Sequence, residues 1–334
     1  MENQPFRVAV VGCGTIAPNH LFALSQNDDV RVVALVDPKT ERAVALQKEF
    51  APEARIFSDY EEMLRTVHPD SVHICTPHYL HAPMAIRALS EDIHVFLEKP
   101  MCRTEEEIPL LLEAAKKSKG KITVSFQNRL NPTTLTALQI AKEDGGVLRA
   151  YGTLFWDRDE KYYTESGWRG KRATEGGGVL INQAIHTLDL LCLFLGRPKT
   201  VIATTANHHL KGIIDVEDSA EGRIDFADGG HAGFYATTSF AGDCQTTAFL
   251  ETAHHRMEIR SSDLYLDGKP YDVKKAPPLP VGKECYGSGH IALIDRFYEA
   301  IRAGEDMPIP PSEAQWALRI LLAAYRSFDN PVEI

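Results

Sequence analysis

The stretch Phe6-Arg7-Val8-Ala9-Val10-Val11-Gly12-Cys13-Gly14-Thr15-Ile16-Ala17 carries an apolar run into the pattern G-x-G-x-x-A and on into a helical segment ending near Asn27. Strand, glycine turn and helix in that order are what a dinucleotide requires. Gly12 permits a tight bend and Gly14 lets backbone approach a pyrophosphate. Ala17 keeps the helix close to the strand, so that the amides at its start face the phosphates. A second apolar run, Val30 to Val36, ends in Asp37. An acidic side chain there accepts from both ribose hydroxyls and repels a 2'-phosphate, which favours NAD over NADP.

Strand and helix then keep alternating. A helix is expected over Thr40 to Phe50, a short strand over Arg55 to Phe57, and a helix from Ser58 with Glu61 placed as a capping box. Ser71 to Thr76 reads as a strand closed by Pro77, Pro83 to Leu89 as a helix, Ile93 to Leu97 as a strand, and Thr104 with Glu107 caps a helix to about Ser118. Such alternation predicts a doubly wound parallel sheet covered on both faces, the Rossmann arrangement. Ligands on such sheets bind beyond the carboxyl ends of the strands, where Gly12 to Ala17, Asp37, Thr76 with Pro77, and Glu98-Lys99-Pro100 all fall. Thr76 and Pro77 either serve that crevice or merely end their strand.

At 334 residues the chain exceeds what one core usually serves, so two domains are expected: residues 1–126, binding the nucleotide, and 127–334. Lys and Arg total 36 against 46 Asp and Glu, a formal charge of −10 with no basic run, which makes nucleic acid and anionic membrane poor partners. Cysteines 13, 75, 102, 192, 244 and 285 form no CxxC pair and lie mostly in apolar segments, the pattern of reduced, cytoplasmic thiols. Met1 to Arg7 is polar and no signal peptide or membrane span is readable. His78 and His81, and the pairs His208-His209 and His254-His255, lack a carboxylate or cysteine at ligand spacing, so no metal is predicted.

From Gly145 the rhythm changes to long alternating strands, Val147 to Trp156, Thr200 to Ala206, Asp218 to Phe226 and His231 to Phe240, which predicts an antiparallel sheet. Two closing helices follow, Ile291 to Ala303 and Ser312 to Phe328. Between the first two strands lies a loop rich in aromatic and charged side chains, Asp157 to Tyr163 and Gly167 to Gly170, with the look of a binding element. Next comes Gly176-Gly177-Gly178, opening what reads as one buried helix to Leu195, stopped by Gly196 and Pro198. Asn182 and His186 stand four apart and would share a face of it. Burying both requires partners, and Lys99 is the leading candidate.

The glycine turn, the Glu98-Lys99-Pro100 triplet and the Gly176 to His186 segment, in that order, resemble the glucose-fructose oxidoreductase / inositol dehydrogenase / MocA family over essentially the whole chain. Within it, Trp156-x-Arg158-Asp159, Tyr162-Tyr163, Trp168-Arg169-Gly170 and Asn182-Gln183 look most like a group including sugar and nucleotide-sugar dehydrogenases. The resemblance implies a Rossmann domain joined to a substrate-binding domain with a large open, mainly antiparallel sheet, hydride exchange between nicotinamide and a secondary alcohol of a sugar or polyol, and a homodimer or homotetramer formed through that second sheet. It implies Lys99 as the residue touching cofactor and substrate, and His186 as the acid/base. Many relatives have aspartate where this chain has Asn182. The cofactor set is then Gly12, Gly14, Thr15, Ile16, Asp37, Thr76, Pro77, His81, Glu98, Lys99, Gln127, Trp168 and Arg169; the substrate set is Lys99, Arg129, Trp156, Tyr163, Asn182, Gln183 and His186.

Oxidising a secondary alcohol needs a base at the hydroxyl, a cation for the developing alkoxide, and a hydride acceptor about 3 to 3.5 Å from the carbon. An unperturbed imidazole titrates near about 6.5, which suits His186, and Lys99 supplies the charge. Asn182 cannot accept a proton and is read as orienting a substrate hydroxyl. Asp189 either orients His186 or caps local structure. Arg129 is either a substrate or cofactor contact or a surface interdomain salt bridge, and Tyr163, Trp168 and Arg169 either wall the pocket or simply pack between domains. The resemblance also leaves two other functions open on the same fold: a glycosidase using transient oxidation, and a non-catalytic nucleotide-sensing regulator.

Overall fold

The computed structural model describes residues 4–260, 262–274, 281, 288–328 and 330–334. Met1 to Asn3 and Cys285, on which two of the expectations above fall, lie outside the described residues. The chain divides into two compact units, the first made of the described parts of Met1–Cys102, Glu106–Gln127 and Pro278–Glu313, the second of Arg103–Glu105, Asn128–Pro277 and Ala314–Ile334.

In the first unit, strands β1 (Phe6–Val11), β2 (Val30–Val36), β3 (Arg55–Phe57), β4 (Ser71–Ile74), β5 (His94–Leu97) and β6 (Ile122–Val124) alternate with helices α1 (Ala17–Ser25), α2 (Thr40–Phe50), α3 (Tyr60–Val67), α4 (His81–Leu89) and α5 (Glu107–Lys117). The sheet order is β3-β2-β1-β4-β5-β6 with every pair parallel. The order reverses between β1 and β4, which places the switch point beside the glycine turn. Val8 to Val11 and Val72 to Ile74 are almost fully excluded from water, as strands covered on both faces must be.

Two helix starts differ from the sequence reading. Asp59, not Ser58, caps α3, accepting from Glu62 N at 2.7 Å. Helix α5 runs Glu107–Lys117 with Glu106 at its N-cap, two residues later than the Thr104 signal places it. A larger difference is that α10 (Gly289–Ala303), which chain order would assign to the second half, belongs to the first unit and packs on α1. Its Leu293, Ile294, Phe297 and Tyr298 are buried, and the Tyr298 hydroxyl meets Ser71 Oγ at 2.8 Å and His73 Nε2 at 2.9 Å.

The second unit contains α6 (Pro132–Glu143), β7 (Arg149–Phe155), the short α7 (Glu160–Thr164), α8 (Val179–Asn182), α9 (Ile185–Leu195), β8 (Pro198–Ala206), β9 (Ser219–Phe226), β10 (His231–Thr237), β11 (Thr247–Glu251), β12 (Arg256–Arg260), β13 (Asp263–Leu266), β14 (Lys269–Tyr271), most of α11 (Pro311–Ser327) and β15 (Val332–Glu333). Its nine strands run β14-β13-β12-β11-β7-β10-β9-β8-β15, antiparallel throughout except for β7 and β10. Helices α6 and α9 cover one face, burying Leu154, Ala232, Phe234, Ala248 and Leu250. The alternate residues Tyr151 and Phe249 are exposed, as period-two strands with one covered face require.

No disulfide joins the described cysteines. Among the described residues no helix is long and apolar enough to cross a membrane.

Candidate functional site

The turns of the first unit build the candidate nucleotide site. Gly12 has φ +92°, and a Cβ there would stand 2.6 Å from the carbonyl oxygen of Cys75, so only glycine fits between β1 and β4. At Gly14 a Cβ would meet nothing within 4 Å: the backbone faces open space. Asp37 is buried at the end of β2, its Oδ2 accepting from Cys13 N at 2.9 Å and its Oδ1 from Lys39 N at 2.8 Å. Both bonds fix the carboxylate in place and leave further lone pairs on each oxygen.

The buried Thr76 Oγ1 and Gln127 Oε1 find no partner among the described residues. Native structures rarely leave such atoms unmet, so together with the open face of Gly14 they fit a polar nucleotide. Asn19, in the first turn of α1, is also buried with both amide atoms unmet; no sequence signal singled it out. His81 lies between two carbonyl oxygens, its Nδ1 2.7 Å from Pro100 O and its Nε2 2.7 Å from Thr76 O. Burial pushes the imidazole down, and a neutral ring donates to one of the two at a time.

Lys99 is half-buried on that second loop, between buried Glu98 and Pro100, its amide 3.3 Å from Glu98 Oε2. Burial alone would raise the Glu98 carboxyl, but the His20 hydrogen bond at 2.9 Å and His290 at 3.8 Å hold it well below the usual range. His20 continues to His73 Nδ1 at 2.9 Å, and His73, pushed down by burial, to Tyr298. Among the described residues, His20, Glu98 and His290 are a group with metal-ligating atoms within 4.8 Å of one another. Ligand spacing along the sequence does not reveal the group, because the three come from α1, the end of β5 and α10.

In the second unit the expected single helix is two. After Asn182 the chain makes a wider turn, Ala184 N bonding Val179 O at 2.8 Å, five residues back, before α9 starts at Ile185. Asn182 and His186 therefore do not stack on one continuous helix. They keep their distinction nonetheless: from Glu175 to Cys192 every residue is buried except these two. The segment is positioned by Glu217, whose carboxylate accepts from Gly178 N and Leu180 N at 3.0 Å and from the Tyr325 hydroxyl at 2.9 Å. A Cβ on Gly178 would lie 1.8 Å from Glu217 O, which explains the glycine.

Asn182 does have a buried partner in its own unit, one the sequence did not suggest: Nδ2 donates to Glu175 Oε1. Glu175 is fully buried, and that burial pushes its carboxyl up to about 7. Gln183 donates to the Tyr162 hydroxyl at 3.1 Å while its buried Oε1 has no protein partner. Tyr162 lies between two guanidinium groups, Arg169 at 4.6 Å and Arg158 at 5.3 Å from its ring centre; Arg169 also covers Trp168 at 5.0 Å, and Arg158 covers Trp156 at 4.8 Å. Tyr163, by contrast, is buried against Leu210, Ile214 and Val216. Arg129 grips Asp189 in a buried bidentate pair, so Asp189 anchors α9 through Arg129.

Comparison with known proteins follows the same division. Residues 6–126 match the family described as an oxidoreductase family with an NAD-binding Rossmann fold, and residues 133–263 match the GFO/IDH/MocA C-terminal domain. The chain is 29% identical over 262 residues to D-glucoside 3-dehydrogenase of Escherichia coli (strain K12), 72% of each chain. It is 27% identical over 269 residues to levoglucosan dehydrogenase of Pseudarthrobacter phenanthrenivorans, covering 72% of this chain and 69% of that one. The WlbA dehydrogenase of Bordetella pertussis, solved with NADH and UDP-GlcNAcA, superposes with a TM-score of 0.86 over 99% of both chains at 25% identity.

Proposed function

Because the chain belongs to the GFO/IDH/MocA family of NAD-binding oxidoreductases, we propose that it oxidises or reduces a secondary alcohol of a sugar, polyol or nucleotide-sugar, with His186 as acid/base and Lys99 stabilising the alkoxide. The observation that carries this reading is the pair Asn182 and His186, the two side chains that reach out of an otherwise buried stretch of eighteen residues, Glu175 to Cys192. An imidazole and an amide so placed can take a proton from one hydroxyl and hydrogen-bond another.

NAD supplies the hydride acceptor when bound. Gly12, Gly14, Thr15 and Ile16 would hold its phosphates, Asp37 its ribose hydroxyls, and Thr76 and Gln127 have the unmet atoms to receive it. Lys99 then offsets the charge that builds on oxygen as His186 removes the proton, an electrostatic contribution that grows toward the transition state. Gln183, with a buried carbonyl oxygen lacking a protein partner, is a second contact for a hydroxyl. D-glucoside, levoglucosan and UDP-GlcNAcA, named with the relatives, define the substrate classes to try first.

The test is a panel of glycosides, anhydrosugars, polyols and nucleotide-sugars with NAD, following absorbance of the reduced nicotinamide. Reduction by one class, lost in Lys99→Ala and His186→Ala while NADH binding persists in His186→Ala, supports the reading. A flat response from folded, NADH-binding protein overturns it, and glycoside cleavage without net reduction would move the assignment to a hydrolase.

A further inference from the structure

We propose that Glu175 is the positioning residue for Asn182: its carboxylate holds the amide with Nδ2 turned toward itself, so that the carbonyl edge of Asn182 is the edge presented to a substrate hydroxyl. The inference rests on the sugar-alcohol reading above, because it specifies what Asn182 does there.

An ionised carboxylate only accepts hydrogen bonds. With Oε2 taking Gly170 N at 2.5 Å and Oε1 facing Asn182, Glu175 compels the amide to offer its NH2 group inward. Once protonated, the same carboxyl becomes a donor, and the best acceptor beside it is the amide oxygen. Asn182 would then turn over and present NH2 outward. One buried proton thus decides whether the site offers a substrate hydroxyl an acceptor or a donor.

The surroundings set where that proton is gained. Burial and the Glu217 carboxylate raise the Glu175 carboxyl, while the Gly170 and Asn182 bonds and the Arg169 guanidinium lower it. The hydroxyls of Tyr162, Tyr163 and Tyr325 also face it. The balance, about 7, falls where both forms are populated near neutrality.

Two measurements on the full chain test this. In wild-type protein, the side-chain NH2 resonances of Asn182, assigned by their loss in Asn182→Ser, should shift with a midpoint near pH 7, together with a protonated-carboxyl infrared band that disappears in Glu175→Gln. NH2 resonances that do not titrate, or that titrate equally in Glu175→Gln, overturn the proposal without any reference to activity. With the substrate found by the panel above, Glu175→Gln should raise KM about tenfold more than it lowers kcat and remove the step near pH 7 from kcat/KM, while Glu175→Asp restores a step at a shifted pH. A kcat/KM profile unchanged in Glu175→Gln also overturns it. If the amide titrates as expected but no sugar reduces NAD, the dehydrogenase reading fails and the orientation of Asn182 stands.

Discussion

Arg129 and Asp189 meet through two parallel hydrogen bonds, Nε to Oδ2 at 2.8 Å and Nη2 to Oδ1 at 2.7 Å, with both side chains almost wholly excluded from water. Asp189 sits on α9 one turn after His186, so this pair pins the helix that carries the proposed acid/base. Removing either partner strands a buried charge. Arg129→Ala should lower unfolding free energy by about 3–5 kcal/mol in urea titrations, whereas Arg129→Met combined with Asp189→Leu should recover most of the loss. If the double variant is no more stable than the single one, the pair matters for something other than its mutual charge.

Gly12 and Gly14 separate folding from binding. At Gly12 a methyl group would strike the Cys75 carbonyl in a left-handed conformation, and Gly12→Ala should cost about 2–4 kcal/mol of stability. At Gly14 the same methyl enters open space, so Gly14→Ala should stay within about 0.5 kcal/mol of wild type. It should still weaken NADH binding at least tenfold by filling the room a pyrophosphate needs. Thermal melts beside NADH fluorescence titrations distinguish the two effects.

Asp37, the proposed ribose contact, is held by the Cys13 and Lys39 amides at the end of β2. Asp37→Ser keeps a hydroxyl for those amides but removes the charge. NADH affinity should fall roughly tenfold, about 1.4 kcal/mol, and NADPH affinity should rise. Unchanged discrimination between the two nucleotides would remove Asp37 from the cofactor set.

Glu175 also writes a pH dependence into stability. Its carboxyl is raised from 4.5 to about 7 in the folded chain, so the folded state binds the proton more tightly than the unfolded one. The stabilisation is fully present below about pH 4.5 and is lost as the pH rises toward 7, a change of roughly 3 kcal/mol from this group. Glu175→Gln should flatten that part of the curve when urea midpoints are compared from pH 5 to pH 8. A wild-type curve that instead rises across this window by the same amount in both proteins would contradict the assignment.

What the sequence revealed was whatever depends on near neighbours. The turn from Gly12 to Ala17, the acidic residue closing β2, and the change from alternating strand and helix to long strands after Gly145 are each written in a few consecutive residues, and the fold follows them. The break between α8 and α9 left no such trace, since Gln183 and Ala184 are ordinary helix residues. The wider turn appears only with Glu217 capping the front of α8 and Tyr162 taking the Gln183 amide. Glu175 was passed over for the same reason. A glutamate before three glycines looks like a solvated loop residue until the fold closes Gly170 and Asn182 over it. His20, Glu98 and His290 stand 78 and 192 positions apart in sequence, beyond the reach of any spacing rule.

The capture of Gly289–Ala303 by the first unit has a consequence for how the polypeptide is made. Most of the nucleotide-binding body is translated before the second body, yet the aromatic wall supplied by Phe297 and Tyr298 arrives only after nearly the whole second body has been translated. A gene fragment stopping at residue 127 would therefore encode an unfinished structure, its apolar flank bare, and any attempt to transplant this cofactor module must carry the distant segment with it.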